Sequence, residues 1–266
     1  PMPSKLFKLH LPTNTLEKFD MPEMISALSV RPNGDMLIAS HKGINNFNFK
    51  EKKLNKILDL EPDKPQNRCN DGAADLKGRF WVGTMQNNVT PQATDIEIVE
   101  NSGSLYCINQ DLSFSKLEDN IGISNTVVWS PDSKKFYFTD TLTGIIHSYD
   151  CNIEEGSISN KTFFAKHERG FPDGATVDSD GCLWSCRFGG SCVVRFDPSG
   201  KVDDLIELPV ENITSCAFGG SDLKTLFITT ARWGMSDEQM KKKPHSGGLF
   251  AINLNVQGIP DYSFGA

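Results

Sequence analysis

The chain has 266 residues, of which 38% are hydrophobic and 23% are charged, the composition of a globular protein with enough apolar material for a core. Its formal net charge of −7 argues against a nucleic-acid partner, because binding phosphate groups needs a basic surface. No stretch approaches the ~18 consecutive apolar residues of a membrane span, and residues 1–12 lack the continuous apolar run of a signal peptide. We therefore expect neither a nucleic-acid partner nor a membrane partner.

The cysteines favour a reducing compartment. They are too sparse, and odd in number, for a disulfide framework, and none of them forms a CxxC pair. We expect reduced thiols that are mostly buried as small apolar side chains, and hence a cytoplasmic location. The seven are Cys69, Cys107, Cys151, Cys182, Cys186, Cys192 and Cys216.

The first predicted element is an N-terminal hairpin with strands over residues 6–10 and 16–19, on either side of a Pro-Thr-Asn turn. It has the pattern of the outer hairpin of a β-propeller blade, so the two inner strands of that blade are expected before Pro1. We also expect the last blade to be incomplete, or to be closed by pairing of a C-terminal strand near residues 256–264 with this hairpin.

The rest of the chain repeats one layout five times. Each unit has a polar residue, an apolar strand, a turn rich in Asp, Asn or Gly, and a second apolar strand, with a further hairpin after it. When the units are aligned, one position of the second strand is always apolar or aromatic and forms a column. The spacing between successive turns is about the length of a propeller blade, roughly 40–50 residues. The column is Leu37, Trp81, Tyr137, Trp184 and Phe227. The turns are 32–34, 76–78, 131–133, 179–181 and 220–222.

This repetition predicts an all-β fold, a six-bladed β-propeller whose N-terminal blade lacks its inner strands. The alternative is a β-sandwich with recurrent turns. We predict a single domain over residues 1–266, with a partial blade at 1–20. The successive blades are expected at about 21–64, 65–119, 120–167, 168–209 and 210–266.

Polar side chains recur at one offset before the turns. Ser26, Asn70, Asn125 and Asp173 occupy the same position in four units, and Thr214 or Ser215 occupies it in the fifth. Taken singly, Asn70-Asp71-Gly72 and Asp173-Gly174 are also good turn sequences. A shared register is not explained by turn propensity, so we predict a ring of these residues at one mouth of the channel. One carboxylate among amides and hydroxyls suits a hard divalent cation, Ca²⁺, Mg²⁺ or Mn²⁺, with Zn²⁺ as a further candidate.

Several longer motifs resemble the senescence marker protein, gluconolactonase and regucalcin family, which includes luciferin-regenerating enzyme. The resemblance extends over essentially the whole chain and is more specific for the family than for a substrate. The matching segments are 67–72 with 78–85, 123–125 with 129–132, 172–174 with 183–184, 214–220 through 230–232, and 246–250.

The resemblance implies a six-bladed propeller with one divalent metal at the channel mouth that hydrolyses sugar lactones. Family members hold the metal with a Glu on the first inner strand, an Asn and an Asp, and Asn125 and Asp173 match the last two. Arg68 and Asn70 match residues that contact substrate or metal-bound water. Ca²⁺ is the first expectation for the metal, and a sugar lactone is the expected substrate.

The chain departs from the family pattern at three places. The Glu ligand is expected before Pro1, so we expect weak metal binding and impaired turnover from residues 1–266 alone. Thr126 stands where the family has Gly after the metal-binding Asn. The segment 86–88, Gln-Asn-Asn, stands where the regucalcin branch has a Glu that contacts substrate.

The mechanism expected from these residues is metal-assisted hydrolysis, in which the cation polarises the lactone carbonyl and Asp173 takes a proton from the attacking water. Arg68 would donate hydrogen bonds to sugar hydroxyls or to a carboxylate. Two alternatives stay open. One is hydrolysis of another ester or a phosphoester at the same metal, and the other is a non-catalytic propeller that binds Ca²⁺ or protein partners.

Overall fold

A computed structural model describes residues 4–90, 92 and 94–266, and these residues form twenty-one β-strands, two short 3-10 helices and one α-helix. The chain divides into two compact units. The first comprises Pro1–Ser124 with Tyr262–Ala266, and the second comprises Asn125–Asp261. Each unit consists of antiparallel sheets whose strands follow one another in sequence, as in the blades of a β-propeller.

The first unit holds a two-stranded sheet and two four-stranded sheets. The two-stranded sheet pairs β1 (Lys5–His10) with β2 (Thr15–Asp20), which a 3-10 turn at Leu11–Thr13 connects. The next sheet is β3 (Ile25–Val30), β4 (Met36–Ser40), β5 (Gly43–Asn48) and β6 (Lys53–Leu58). The third is β7 (Asn67–Ala74), β8 (Phe80–Gln86), β9 (Gly103–Ile108) and β10 (Phe114–Ile121).

The second unit holds two four-stranded sheets and one three-stranded sheet. The first contains β11 (Ser124–Trp129, which begins at the unit boundary), β12 (Lys135–Asp140), β13 (Ile145–Asn152) and β14 (Ser157–Lys166), with a 3-10 turn at Thr141–Thr143. The second contains β15 (Phe171–Val177), β16 (Leu183–Phe188), β17 (Cys192–Phe196) and β18 (Val202–Glu207). The third contains β19 (Asn212–Gly219), β20 (Thr225–Ala231) and β21 (Leu249–Asn253).

The predicted count of six blades is wrong, although the propeller class is correct. The described residues form five sheets of three or four strands, and β1 and β2 pair only with each other. Of the two expectations for the last blade, an incomplete blade agrees with the described residues, because their last sheet, β19–β21, has three strands. The alternative, pairing of the C-terminal segment with the N-terminal hairpin, is wrong for the described residues. Phe264 is buried, and its backbone N–H donates to Val30 O and to Ser29 Oγ, so the segment contacts β3 at this residue.

The predicted turns share one backbone geometry, which explains why the same residue types recur in them. In the four-stranded sheets that begin with β3, β7, β11 and β15, the last residue of the turn has a left-handed backbone conformation. Its N–H donates to the carbonyl oxygen of the residue three positions earlier. Glycine adopts this conformation without steric cost, and it occupies the position in three of the four. These residues are Gly34, Gly78, Ser133 and Gly181. In the fifth sheet, the left-handed residue that closes the turn is Leu223, one position later than expected.

The aromatic column lies on the second strand of each sheet and supplies much of the core, with Leu37, Trp81 and Trp184 almost fully buried. Two of its tryptophans share an arrangement that the sequence analysis missed. The indole N–H of Trp81 donates to Asp75 Oδ2 at 2.8 Å, and that of Trp184 donates to Asp178 Oδ2 at 2.8 Å. Both carboxylates are fully buried. The Asp six residues before each Trp is the sequence signal for this bond.

The one α-helix among the described residues, α1 (Asp237–Lys242), was not predicted. Ser236 and Gln239 form a capping box, in which each side chain bonds the other residue's backbone N–H. That Ser-x-x-Gln spacing is a recognised helix start, but six residues are too few to show helical periodicity.

Candidate functional site

The polar side chains of the predicted ring lie on the first strand of their sheets, at irregularities in the pairing. Ser26, Asn70, Asp173 and Thr214 each fall where the register between the first and second strand shifts. A bulge leaves such a residue outside the regular ladder and redirects its side chain. The interpretation of residues 70–72 and 173–174 as turns is therefore wrong, since they lie within β7 and β15.

Asn125, the second residue of β11, is buried with its amide orientation fixed by a short relay. Thr141 donates its hydroxyl proton to Pro172 O at 2.7 Å, and a hydroxyl has only one proton to give. Thr141 Oγ1 must therefore accept from Asn125 Nδ2, which lies 2.8 Å away. This contact directs the amide oxygen, Asn125 Oδ1, away from Thr141. A carbonyl-type oxygen with a fixed orientation is a suitable ligand for a hard cation.

Thr126 connects the Asn125 strand to Asp173 directly. Its Oγ1 donates to the main-chain carbonyl oxygen of Asp173 at 2.7 Å, and the residue is fully buried. Thr126 has φ of 60°, a left-handed conformation that is unfavourable for a β-branched residue. A glycine would adopt this backbone without strain but could not form the hydrogen bond. The substitution relative to the family pattern thus adds a link to the strand that carries Asp173.

Gly174, next to Asp173, is required by close packing between β15 and β19. A Cβ at this position would lie 2.5 Å from Ser215 Oγ and 2.7 Å from Ser215 Cβ, which is well inside van der Waals contact. Asp173 itself is half-buried. The structure therefore holds the Asp173 backbone from two sides, through Thr126 on β11 and through the packing of Gly174 on β19.

In the first unit, Arg68 and Asn70 lie together on β7. The Arg68 guanidinium donates from Nη1 to Asn70 Oδ1 at 2.6 Å and to Cys69 O at 2.9 Å, and from Nη2 to Asn88 Oδ1 at 2.9 Å. Asn70 Nδ2 in turn donates to Ser124 O at 2.8 Å. The role of Asn88 was missed. It lies in the segment where the regucalcin branch has Glu, and here a neutral amide holds the guanidinium.

Arg187 on β16 is a further residue that sequence reasoning missed. It is fully buried and donates to the carbonyl oxygens of His167, Arg169 and Gly170 at 2.9–3.0 Å. Burial lowers the pKa of its guanidinium to about 10. The residue thus fixes the loop that leads into Pro172 and Asp173. Neither Arg187 nor Thr141 had a sequence signal, because each acts on main-chain groups distant in sequence.

The donor set near Asn125 and Asp173 suits a hard cation, because it consists of an amide oxygen and a carboxylate. Within the described ranges, no group of three or more His, Cys, Asp or Glu side chains could hold a metal ion. All seven cysteines are free thiols, and all but Cys151 are buried, as expected.

The repeated sheets define the class of this protein as an all-β propeller. The family model described as the SMP-30/Gluconolactonase/LRE-like region matches residues 2–232. The chain belongs to this family.

Similar proteins are named regucalcin and luciferin-regenerating enzyme. Regucalcin of Gallus gallus is 35% identical over 244 residues, which is 90% of this chain and 80% of that protein. The crystal structure of a calcium-binding protein, regucalcin, from Agrobacterium tumefaciens superposes with a TM-score of 0.91 at 28% identity, covering 99% of this chain and 87% of that one. A luciferin-regenerating enzyme gives a TM-score of 0.88 at 26% identity, covering 98% and 88%. In the described residues of this chain, no helix is long and apolar enough to cross a membrane.

Proposed function

We propose that the protein is a divalent-metal-dependent hydrolase that opens sugar lactones. The observation that carries the proposal is the link between the two candidate metal ligands. Two threonine hydroxyls connect Asn125 and its strand to the backbone of Pro172 and Asp173. Family membership supports the reaction class, since gluconolactonase is part of the family's name.

Asn125 Oδ1 and the Asp173 carboxylate would hold the cation, with Ca²⁺ as the first candidate, because a similar structure is described as a calcium-binding protein. When bound, such a cation supplies Lewis-acid stabilisation of negative charge on a carbonyl oxygen. Asp173 is the proposed general base. Its carboxylate accepts a proton from the water that attacks the lactone carbonyl carbon.

The bond changes balance without any further reagent. A C–O bond forms between water and the carbonyl carbon, and the ring C–O bond breaks. The ring oxygen leaves with the proton that Asp173 has accepted, so the product is an open-chain hydroxy acid. Arg68 and Asn70 are proposed to bind substrate, since a guanidinium offers several donors in a fixed geometry to hydroxyl or carboxylate oxygens.

The test is turnover of a panel of aldonolactones by protein stripped of metal and then supplied with Ca²⁺, Mg²⁺, Mn²⁺ or Zn²⁺. Asp173→Asn should abolish turnover even at saturating metal, because it removes both the negative ligand and the base. Asn125→Ala should mainly weaken metal binding, so excess metal should partly restore turnover. Asp204→Asn, an exposed aspartate on β18, is the matched control and should behave as wild type.

Near-normal turnover by Asp173→Asn would show that the base assignment is wrong. Metal binding by calorimetry without turnover of any lactone would contradict the hydrolase proposal. It would support instead a calcium-binding propeller, the function named for the Agrobacterium structure.

A further inference from the structure

The hydroxyl group of Ser215, on β19, lies against the segment of β15 that carries Asp173. In the pairing of β15 with β16, Asp173 and Gly174 together oppose Cys186, so these two residues form a bulge. A Cβ added to Gly174 would lie 2.5 Å from Ser215 Oγ and 2.7 Å from Ser215 Cβ. The lack of a side chain at Gly174 therefore leaves room for the Ser215 side chain beside this bulge.

A second hydroxyl close by, that of Thr214, is used within the sheet. Thr229 donates its one hydroxyl proton to Ser215 O at 3.2 Å. Thr214 Oγ1, which lies 2.8 Å from Thr229 Oγ1, must therefore donate its own proton to Thr229. Of the two candidates for the ring position in this sheet, only Ser215 keeps a hydroxyl proton that no hydrogen bond within the described residues uses.

The Ser215 side chain is free to bind a ligand. It is exposed, and its Oγ has no hydrogen-bond partner among the residues that the structure describes. The amide of Asn125 differs, because Thr141 fixes its orientation. The residues that adjoin the Ser215 hydroxyl, Gly174 and Thr214, carry no charge. A hydroxyl can donate one hydrogen bond and accept others, so its natural partner is another hydroxyl group.

We propose that Ser215 is a specificity-determining residue of the Asp173 site, whose hydroxyl group hydrogen-bonds a ring hydroxyl of the substrate. It would thereby favour polyhydroxylated lactones over lactones without ring hydroxyls. The inference rests on the proposed function, because it assigns a role in selecting the substrate of that same site. A site that hydrogen-bonds a substrate hydroxyl binds the analogue without it less well, since a polar group then loses its partner. For one bond between neutral groups, the difference is about threefold to tenfold.

The first test compares Ser215→Ala with the wild type on glucono-δ-lactone and on δ-valerolactone, which has the same ring without hydroxyl groups, at saturating Ca²⁺. The KM for gluconolactone should rise about threefold to tenfold with kcat unchanged, because the lost bond forms equally in the ground state and the transition state. Both constants for valerolactone should stay as in the wild type. Ser221→Ala, in the exposed turn between β19 and β20, is the matched control and should change neither substrate.

Calorimetry with glucono-δ-lactam and δ-valerolactam, cyclic amides that resist hydrolysis, separates this proposal from the hydrolase proposal. If the wild type opens no lactone but Ser215→Ala still binds gluconolactam about threefold to tenfold more weakly, the hydrolase proposal fails and the role of Ser215 stands. Unchanged binding and KM in Ser215→Ala, equal losses on the hydroxylated and unsubstituted compounds, or a wild type that binds neither lactam would overturn the role of Ser215. Ser215→Ala should also keep the wild-type melting temperature, and a lower one would mean that the hydroxyl acts on the fold instead.

Discussion

Thr126 donates a hydrogen bond from its side-chain hydroxyl to the main-chain carbonyl oxygen of Asp173, 2.7 Å away. The bond joins β11 to β15, neighbouring first strands within the second unit, and it keeps a β-branched residue in a left-handed conformation. The steric cost of the left-handed backbone at Thr126 and the free energy gained from its hydrogen bond are of similar size, of order 1–2 kcal/mol each.

Two substitutions separate those contributions. Thr126→Val keeps the strained backbone and removes the donor, so it should lower the free energy of unfolding by about 1–3 kcal/mol. Thr126→Gly loses the same bond but relieves the strain, and it should cost less than Thr126→Val. Urea denaturation of both variants measures the difference. A larger loss in the glycine variant would show that strain at Thr126 is negligible.

Thr141→Val should weaken metal binding, because it removes the acceptor that orients the Asn125 amide. Residues that orient a metal ligand typically contribute about 10–100-fold to affinity. Thr143→Val is the control, since Thr143 lies in the same 3-10 turn but donates to Asp140 O. Calorimetry with Ca²⁺ measures the effect. Wild-type affinity in Thr141→Val, with reduced affinity in Asn125→Ala, would show that the amide needs no orientation.

Asp75→Asn should be strongly destabilising. The buried carboxylate accepts from Trp81 Nε1 and, at 2.7 Å, from Arg79 Nε, so an amide would leave a buried guanidinium without its counter-charge. Removing one partner of a buried ion pair costs about 3–5 kcal/mol. Asp132→Asn, in the exposed turn between β11 and β12, should cost under ~1 kcal/mol. Thermal and urea unfolding compare the two, and similar losses would refute a special role for Asp75.

Arg187→Met should loosen the loop before Asp173, because three carbonyl oxygens of residues 167–170 lose their buried donor. We expect faster amide hydrogen exchange over this loop and a loss of at least about 2 kcal/mol in stability. Arg169→Met removes an exposed ion pair with Glu207 and a hydrogen bond to Gly190 O, and it should cost ~1 kcal/mol or less. Unchanged amide hydrogen exchange over this loop in Arg187→Met would show that the loop conformation does not depend on Arg187.

Stability should fall as the pH decreases from 7 towards 5.5. Burial, followed by the Arg68 charge, lowers the pKa of His41, and burial lowers that of His167. Their unfolded pKa is 6.5, so the unfolded chain takes up more protons as the pH falls through this range. His41→Gln and His167→Gln should each flatten the decline, whereas exposed His245→Gln should not. Urea unfolding at several pH values measures the slopes, and parallel slopes in all variants would contradict the assignment.

The role assigned to each polar residue remains a prediction, but their common position could be predicted from the sequence. Counting a fixed offset from recurrent turns located Ser26, Asn70, Asn125 and Asp173 correctly on the first strand of their sheets. Local turn propensity alone gave the wrong answer at Asn70 and Asp173, because a bulge and a turn use the same residue types.

Periodicity and turn chemistry are local properties. The sequence by itself therefore determined the all-β class, the repeated unit, the aromatic column and turns such as those at Gly34 and Gly181. The blade count, the bulges, and the contacts of Thr126, Thr141 and Arg187 depend on which strands pair and which main-chain groups lie opposite a side chain. Those partners are 17 to 47 positions away in sequence. Only tertiary packing brings them within hydrogen-bond distance, so no pattern along the chain specifies them.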